Sequence, residues 1–197
     1  MKYFKTIARI LVGLVFVASS LMKGIDPLGT AYRITDYFLA FGMPWATQFS
    51  GFLSIFLCTL EFIIGICLLL NILMRQISWV LLLMMIYFTV LTFFDARYNL
   101  VPDCGCFGDI IKITNLQTFL KNVVLMALVI PVFIYRKQYR SWAPMRAQLG
   151  FFIMFIAIFA GMSVHAMYHL PVIDTLPWKV GNTINKQDLK PVKFYVT

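Results

Sequence analysis

Along the chain, apolar runs of about 20 residues alternate with short polar punctuation, which is the pattern of helices that cross a bilayer. The first run extends from Ile7 to Met22 and is broken only by Arg9. Phe49 to Leu73, Ser78 to Phe94, Asn115 to Tyr135 and Leu149 to Met167 predict four further spans. Between the first two lies an amphipathic stretch, Thr30 to Phe41. There Ile34, Tyr37, Phe38 and Phe41 recur at helical spacing, with Asp36 on the opposite face and Arg33 at the edge. That stripe predicts a short helix at the outer membrane interface, ended by Gly42-Met43-Pro44, with Trp45 anchored at headgroup level. Gly24 to Pro27 reads as a turn, Arg75-Gln76 as a tight connection between spans, Asn115 as a helix N-cap and Pro131 as the source of a kink. Ala18-Ser19-Ser20 has the small-residue character of a signal-peptide cleavage site, but the length of the apolar run favours a retained span. The fold class expected is all-α, a polytopic transmembrane helical bundle. A β-barrel would show alternating segments of about 10 residues, and the chain has none. Residues 1–135 form a four-helix membrane domain in this reading. Residues 136–170 add a basic loop and a fifth span, and residues 171–197 form a polar tail in which Val192 to Val196 has strand character.

Composition strengthens this picture. Of 197 residues, 61% are hydrophobic and 13% charged, far from the roughly 45–50% apolar and roughly 25% charged of soluble domains. A soluble fold of this size has too little interior to hide so much apolar surface. The net charge of +9 would invite a nucleic-acid partner in a soluble protein, but its distribution speaks of topology. Lys2, Lys5, Arg9, Arg75, Arg136, Lys137, Arg140 and Arg146 fall in short segments on one side, together with no acid. Seven of the 8 acids fall on the other side, and Glu61 lies inside a span. The positive-inside rule then places the N-terminus in the cytosol of a bacterial inner-membrane protein and the C-terminal tail outside. The lipid bilayer is the first partner implied.

Chemistry concentrates in Asp103-Cys104-Gly105-Cys106-Phe107-Gly108-Asp109, a dense polar segment that this topology places outside. Disulfides form and persist in such a compartment. A disulfide across one intervening residue closes a very small ring. Strain makes such a bond easier to reduce, and so short a loop gains little as a staple. The spacing therefore suits a bond that cycles. Two free thiols, half a metal site or two bridges to other cysteines are the alternatives. Cys58 lies roughly 12 Å of helix rise from Ser50, close enough to the loop to resolve a mixed disulfide, or else to pack as a small apolar residue. Cys67, nine residues deeper and on the opposite helix face, reads as packing. Glu61 sits near the membrane midplane, where a carboxylate is costly and normally faces a partner or a cavity. It is a candidate proton acceptor or donor beside a redox centre or quinone, or else a packing hydrogen bond. Lys121, with Asn122, lies near the outer end of the fourth span, where an ammonium favours a thiolate unless it only snorkels. His165 and His169 have the i, i+4 spacing of metal or haem ligands and equally of polar anchors. No Walker loop, dinucleotide-binding glycine pattern, zinc motif or internal repeat is present.

The chain resembles the DoxX-like membrane proteins, and within them the MauE group of methylamine utilisation. The residues that carry the resemblance are Lys23-Gly24-Ile25-Asp26-Pro27, Tyr37, Leu60-Glu61-Phe62-Ile63-Ile64-Gly65, Asp103 to Gly108, and Lys121-Asn122, within roughly Met1 to Tyr135. The resemblance implies a four-helix membrane core linked to extracytoplasmic thiol–disulfide chemistry and, for MauE, to maturation of a disulfide-rich enzyme subunit. The fifth span and tail lie outside it. The function expected is that of a thiol–disulfide oxidoreductase of the inner membrane. Cys104 and Cys106 would exchange electrons with an extracytoplasmic thiol/disulfide protein client, with Glu61 handling protons and Lys121 favouring the thiolate. No residue pattern demands a cofactor; a membrane quinone near the second span is suggested by architecture and analogy alone. The rival expectations are a non-enzymatic membrane subunit or maturation factor that docks a partner through loop and tail, and a transporter using Glu61. The second lacks the paired, broken helices of related halves.

Overall fold

The computed structural model describes residues 2–98, 101, 114–139, 141 and 143–168. The Cys104–Cys106 loop, Arg140, His169 and the tail with its expected strand lie outside the described residues. Those described form α1 (Lys2–Ile25), α2 (Pro27–Ala40), a 3-10 turn (Pro44–Phe49), α3 (Ser50–Leu70), α4 (Met74–Tyr98), α5 (Asn115–Ile134) and α6 (Met145–Tyr168). Five of these helices are long and apolar enough to cross a membrane, and no strand occurs among the described residues. The all-α bundle is as expected. In lipid a spanning segment satisfies its backbone groups internally, so an apolar run of this length becomes a helix.

Several boundaries differ from the sequence reading. Helix α1 continues to Ile25. Asp26 then caps α2, accepting the Gly29 N–H at 3.1 Å, with Pro27 in the first turn where its missing donor costs nothing. Thr114, not Asn115, is the N-cap of α5: its hydroxyl accepts from the Gln117 N–H while the Gln117 side chain accepts from the Thr114 N–H, a reciprocal capping box. Arg75 and Gln76 lie in the first turn of α4. The actual connection is Asn71 to Leu73, where Asn71 and Leu73 adopt φ of 57° and 49°. Helix α4 runs on to Tyr98, so Asp95 stands inside it, fully buried, rather than opening a loop.

Helix α1 packs most extensively along α3, and α4 along α5. The α1–α3 contact depends on small residues. A Cβ on Gly65 would stand 2.8 Å from the Val17 nitrogen and 2.9 Å from the Gly13 carbonyl oxygen, so only glycine lets the two backbones meet there. Side chains at the Asn71 end tie helices together. The Arg9 guanidinium donates to the Leu68 carbonyl and, at 3.2 Å, to that of Leu69, satisfying the last carbonyls of α3. Tyr139 donates its hydroxyl to the Lys5 carbonyl at 2.9 Å. Burial pushes its phenol pKa up, against the pull of Arg9. Helix α6 lies against α3 and α1, where Phe159 stacks on Phe62 with ring centroids 4.2 Å apart. Much of its remaining surface is exposed apolar side chains, among them Ile153 and Ile158.

Candidate functional site

At the other end of the bundle, α1 to α5 enclose a cavity of about 310 Å³. Its walls are apolar, with Phe16, Ile34, Leu57, Phe88 and Leu125 among them, and a few polar groups converge on it: Lys23, Tyr37, Cys58, Glu61, Lys121 and Asn122. An apolar hollow with few convergent polar groups is the usual form of a small-molecule site. All of its lining falls within residues 1–135, and α6 contributes nothing to it.

The element that closes this cavity is α2. The stripe of Ile34, Tyr37 and Phe38, expected to face the membrane interface, lines the cavity instead. An apolar stripe looks the same in sequence whether it meets lipid or protein. Two hydroxyl bonds hold α2 to the start of α3: Ser54 donates to the Pro27 carbonyl at 2.6 Å, and Thr35 to the Ser50 hydroxyl at 2.8 Å. Arg33 also lines the cavity and pairs with Asp36 at 3.8 Å.

Glu61 projects from the middle of α3 and forms an ion pair with Lys23, which reaches down from the last turn of α1; their side chains are 6% and 10% exposed. Charges so far from water interact strongly, and each depends on the other to offset its desolvation. Sequence reasoning singled out Glu61 and missed its partner. The available signal was that a lone carboxylate inside a span needs a cation, and Lys23 follows the first apolar run directly.

A second couple stands nearby. The Tyr37 hydroxyl donates to Asp95 Oδ2 across the α2–α4 contact. Asp95 Oδ1 is buried and takes no hydrogen bond from the described residues. In the sequence Tyr37 stands out only as a member of an apolar stripe and of the residues that carry the family resemblance, and Asp95 falls just beyond the third span expected over Ser78 to Phe94. Asn122 Nδ2 donates to the Thr92 hydroxyl at 3.2 Å and to the Phe88 carbonyl at 3.4 Å, which fixes α5 against α4 beside the cavity. Lys121, half-buried, opens onto the same space.

The two described cysteines separate. Both are reduced and buried, but Cys58 lines the cavity with Glu61, whereas Cys67 sits in the apolar core. His165 is exposed on α6, and no cluster of three metal-ligating side chains occurs among the described residues. The structure thus brings Glu61, Lys121, Asn122 and Cys58 to one cavity, with Lys23 and Tyr37 added. Cys104 and Cys106 lie outside the described residues.

Residues 1–135 match the family model of the methylamine utilisation protein MauE. No curated protein and no solved structure matches the chain.

Proposed function

Because this chain belongs to the MauE family of multi-pass membrane proteins, we propose that it serves methylamine utilisation as the membrane partner of an extracytoplasmic thiol–disulfide reaction. In this reading the protein sits in the inner membrane with its N-terminus in the cytosol and its tail outside. Cys104 and Cys106 exchange a disulfide with a client protein in the oxidising compartment. Closing the pair releases two electrons and two protons, and a membrane quinone, if bound in the cavity, would supply an acceptor for both.

The observation that carries this reading is the Lys23–Glu61 ion pair inside an apolar cavity. The residues present fit a quinone ring. Apolar walls are supplied by Phe16, Phe88 and Leu125, and N–H donors for ring oxygens by Lys23 and Lys121. Glu61 is the proton-handling group in this reading, held in place by Lys23. Lys121 projects from the second turn of α5, which follows the cysteine segment, and its ammonium favours the thiolate form there.

The test is thiol trapping in membranes with an alkylating reagent, with and without reductant, in the wild type and in Cys104→Ser. The expected result is a reducible Cys104–Cys106 pair, replaced in the variant by mixed disulfides from Cys106. If neither ever forms, the thiol reading fails. Glu61→Gln is expected to slow reoxidation of the pair, and an unchanged rate reduces Glu61 to packing. Growth on methylamine as sole nitrogen source tests the metabolic role.

A further inference from the structure

A second cavity, of about 420 Å³, opens at the Asn71 end of the bundle, between the α3–α4 turn and the α5–α6 connection. Its lining includes Arg75, Arg136 and Lys137. No acid occurs in either of the chain segments that form it, residues 71–76 and 136–148. It shares no lining residue with the Glu61 cavity.

The walls are fixed to one another. Gln148, 8% exposed, accepts the Leu73 N–H at 2.9 Å and donates to the Ala143 carbonyl at 2.8 Å, bridging the two segments. Asn71 and Leu73 hold left-handed backbone conformations there, which non-glycine side chains adopt rarely and mostly where surrounding structure enforces it. Arg136 is fixed as well. Its guanidinium stacks 3.9 Å from the Phe133 ring centroid and 5.3 Å from that of Trp79, and donates to the Phe133 carbonyl at 2.8 Å. Stacking leaves the remaining N–H groups of the planar fork for an anion. Arg75 and Lys137 are exposed at the rim.

We propose that this cavity holds the phosphodiester headgroup of an anionic phospholipid. Three cations with no ion-paired acid among the described residues call for an anion. Their position at the ends of apolar spans is where lipid phosphates lie, and basic pockets between transmembrane helices are suited to such headgroups. Beside the pocket, Trp79, Ile134 and Leu149 expose apolar surface against which acyl chains pack. A free phosphate would satisfy the cations but not that surface, so the two sources are separable.

The test uses the full chain purified in a neutral detergent, with bound lipid counted by native mass spectrometry. Phosphatidylglycerol is expected to be retained and phosphatidylcholine lost. Arg75→Ala and Lys137→Ala alter exposed side chains and leave the Gln148 bridge intact. Each is expected to weaken phosphatidylglycerol retention about fivefold, the effect of one cation near a charged lipid surface. Excess inorganic phosphate should not displace the lipid. Equal retention of the two lipids, or undiminished phosphatidylglycerol binding in the double variant, overturns the proposal. Displacement by inorganic phosphate at equal concentration overturns it in favour of a free-phosphate site.

Discussion

The two ends of the bundle bury polar side chains for different purposes. At the Asn71 end these groups serve the backbone. Arg9 satisfies the last carbonyls of α3, Gln148 holds the Leu73 N–H and the Ala143 carbonyl, and Tyr139 reaches the Lys5 carbonyl. Around the Glu61 cavity the chief pairings join side chain to side chain: Lys23 with Glu61, Tyr37 with Asp95, and Asn122 with Thr92. Backbone partners cannot change protonation, so the first arrangement is fixed once the chain folds. A carboxylate, an ammonium and a phenol can exchange protons, and Glu61, Lys23 and Tyr37 border an open volume. A helix bundle in lipid gains little from hiding apolar surface, because its surroundings are equally apolar. Polar bonds and close packing therefore carry much of its specificity. The difference between the ends separates bonds that hold the frame from groups placed for chemistry.

The largest effect expected falls on the ion pair. Glu61→Leu leaves the Lys23 ammonium buried without its counter-charge, a loss of about 3–5 kcal/mol, whereas removing both charges in Lys23→Met/Glu61→Leu restores much of that stability. Unfolding in mixed micelles measures both. If the double variant regains stability but not reoxidation of the cysteine pair, the two roles of Glu61 are separated. A double variant with wild-type reoxidation would make the pair a frame element like those at the other end. Arg9→Ala is expected to cost about 1.5–3 kcal/mol through its charged hydrogen bonds. It should leave thiol exchange at wild-type rate per folded molecule, since Arg9 does not line the Glu61 cavity. Gly65→Ala, which forces α1 away from α3, is expected to cost about 1–3 kcal/mol and, unlike Arg9→Ala, to slow exchange, because Lys23 and Glu61 ride on those two helices.

The frame was legible in the sequence because lipid imposes one rule, a helix of sufficient length for every span. All five spans were expected and all five are present. The errors sit where tertiary partners decide. The sequence pattern ends the third span at Phe94 and leaves Asp95 in the loop beyond it; Tyr37, far away in sequence, makes the helical position tolerable. Lys23 escaped notice as Glu61's partner for the same reason. Arg75 was placed in a turn, but two left-handed residues make the turn three positions long and start α4 earlier. The Thr114 cap was different, since Thr114-Asn115-Leu116-Gln117 carries the capping-box spacing openly and Asn115 merely competed with it.

That cap supplies the smallest effect and the most local test of how the cavity is supported. Thr114→Ala removes the hydroxyl that accepts the Gln117 N–H, at a cost of about 1 kcal/mol. The loosened turn is the one just before Lys121 and Asn122, so hydrogen exchange should quicken at Gln117 and Thr118 while α1 and α3 keep their protection. If Lys121 acts on the cysteine segment through its position at the start of α5, exchange of the Cys104–Cys106 pair should slow measurably in this variant, and Thr114→Ser, which keeps a capping hydroxyl, should restore it. A quickened amide exchange with unchanged thiol chemistry would instead assign the start of α5 to the frame, leaving Lys23, Glu61 and Tyr37 as the groups on which the cavity's chemistry depends.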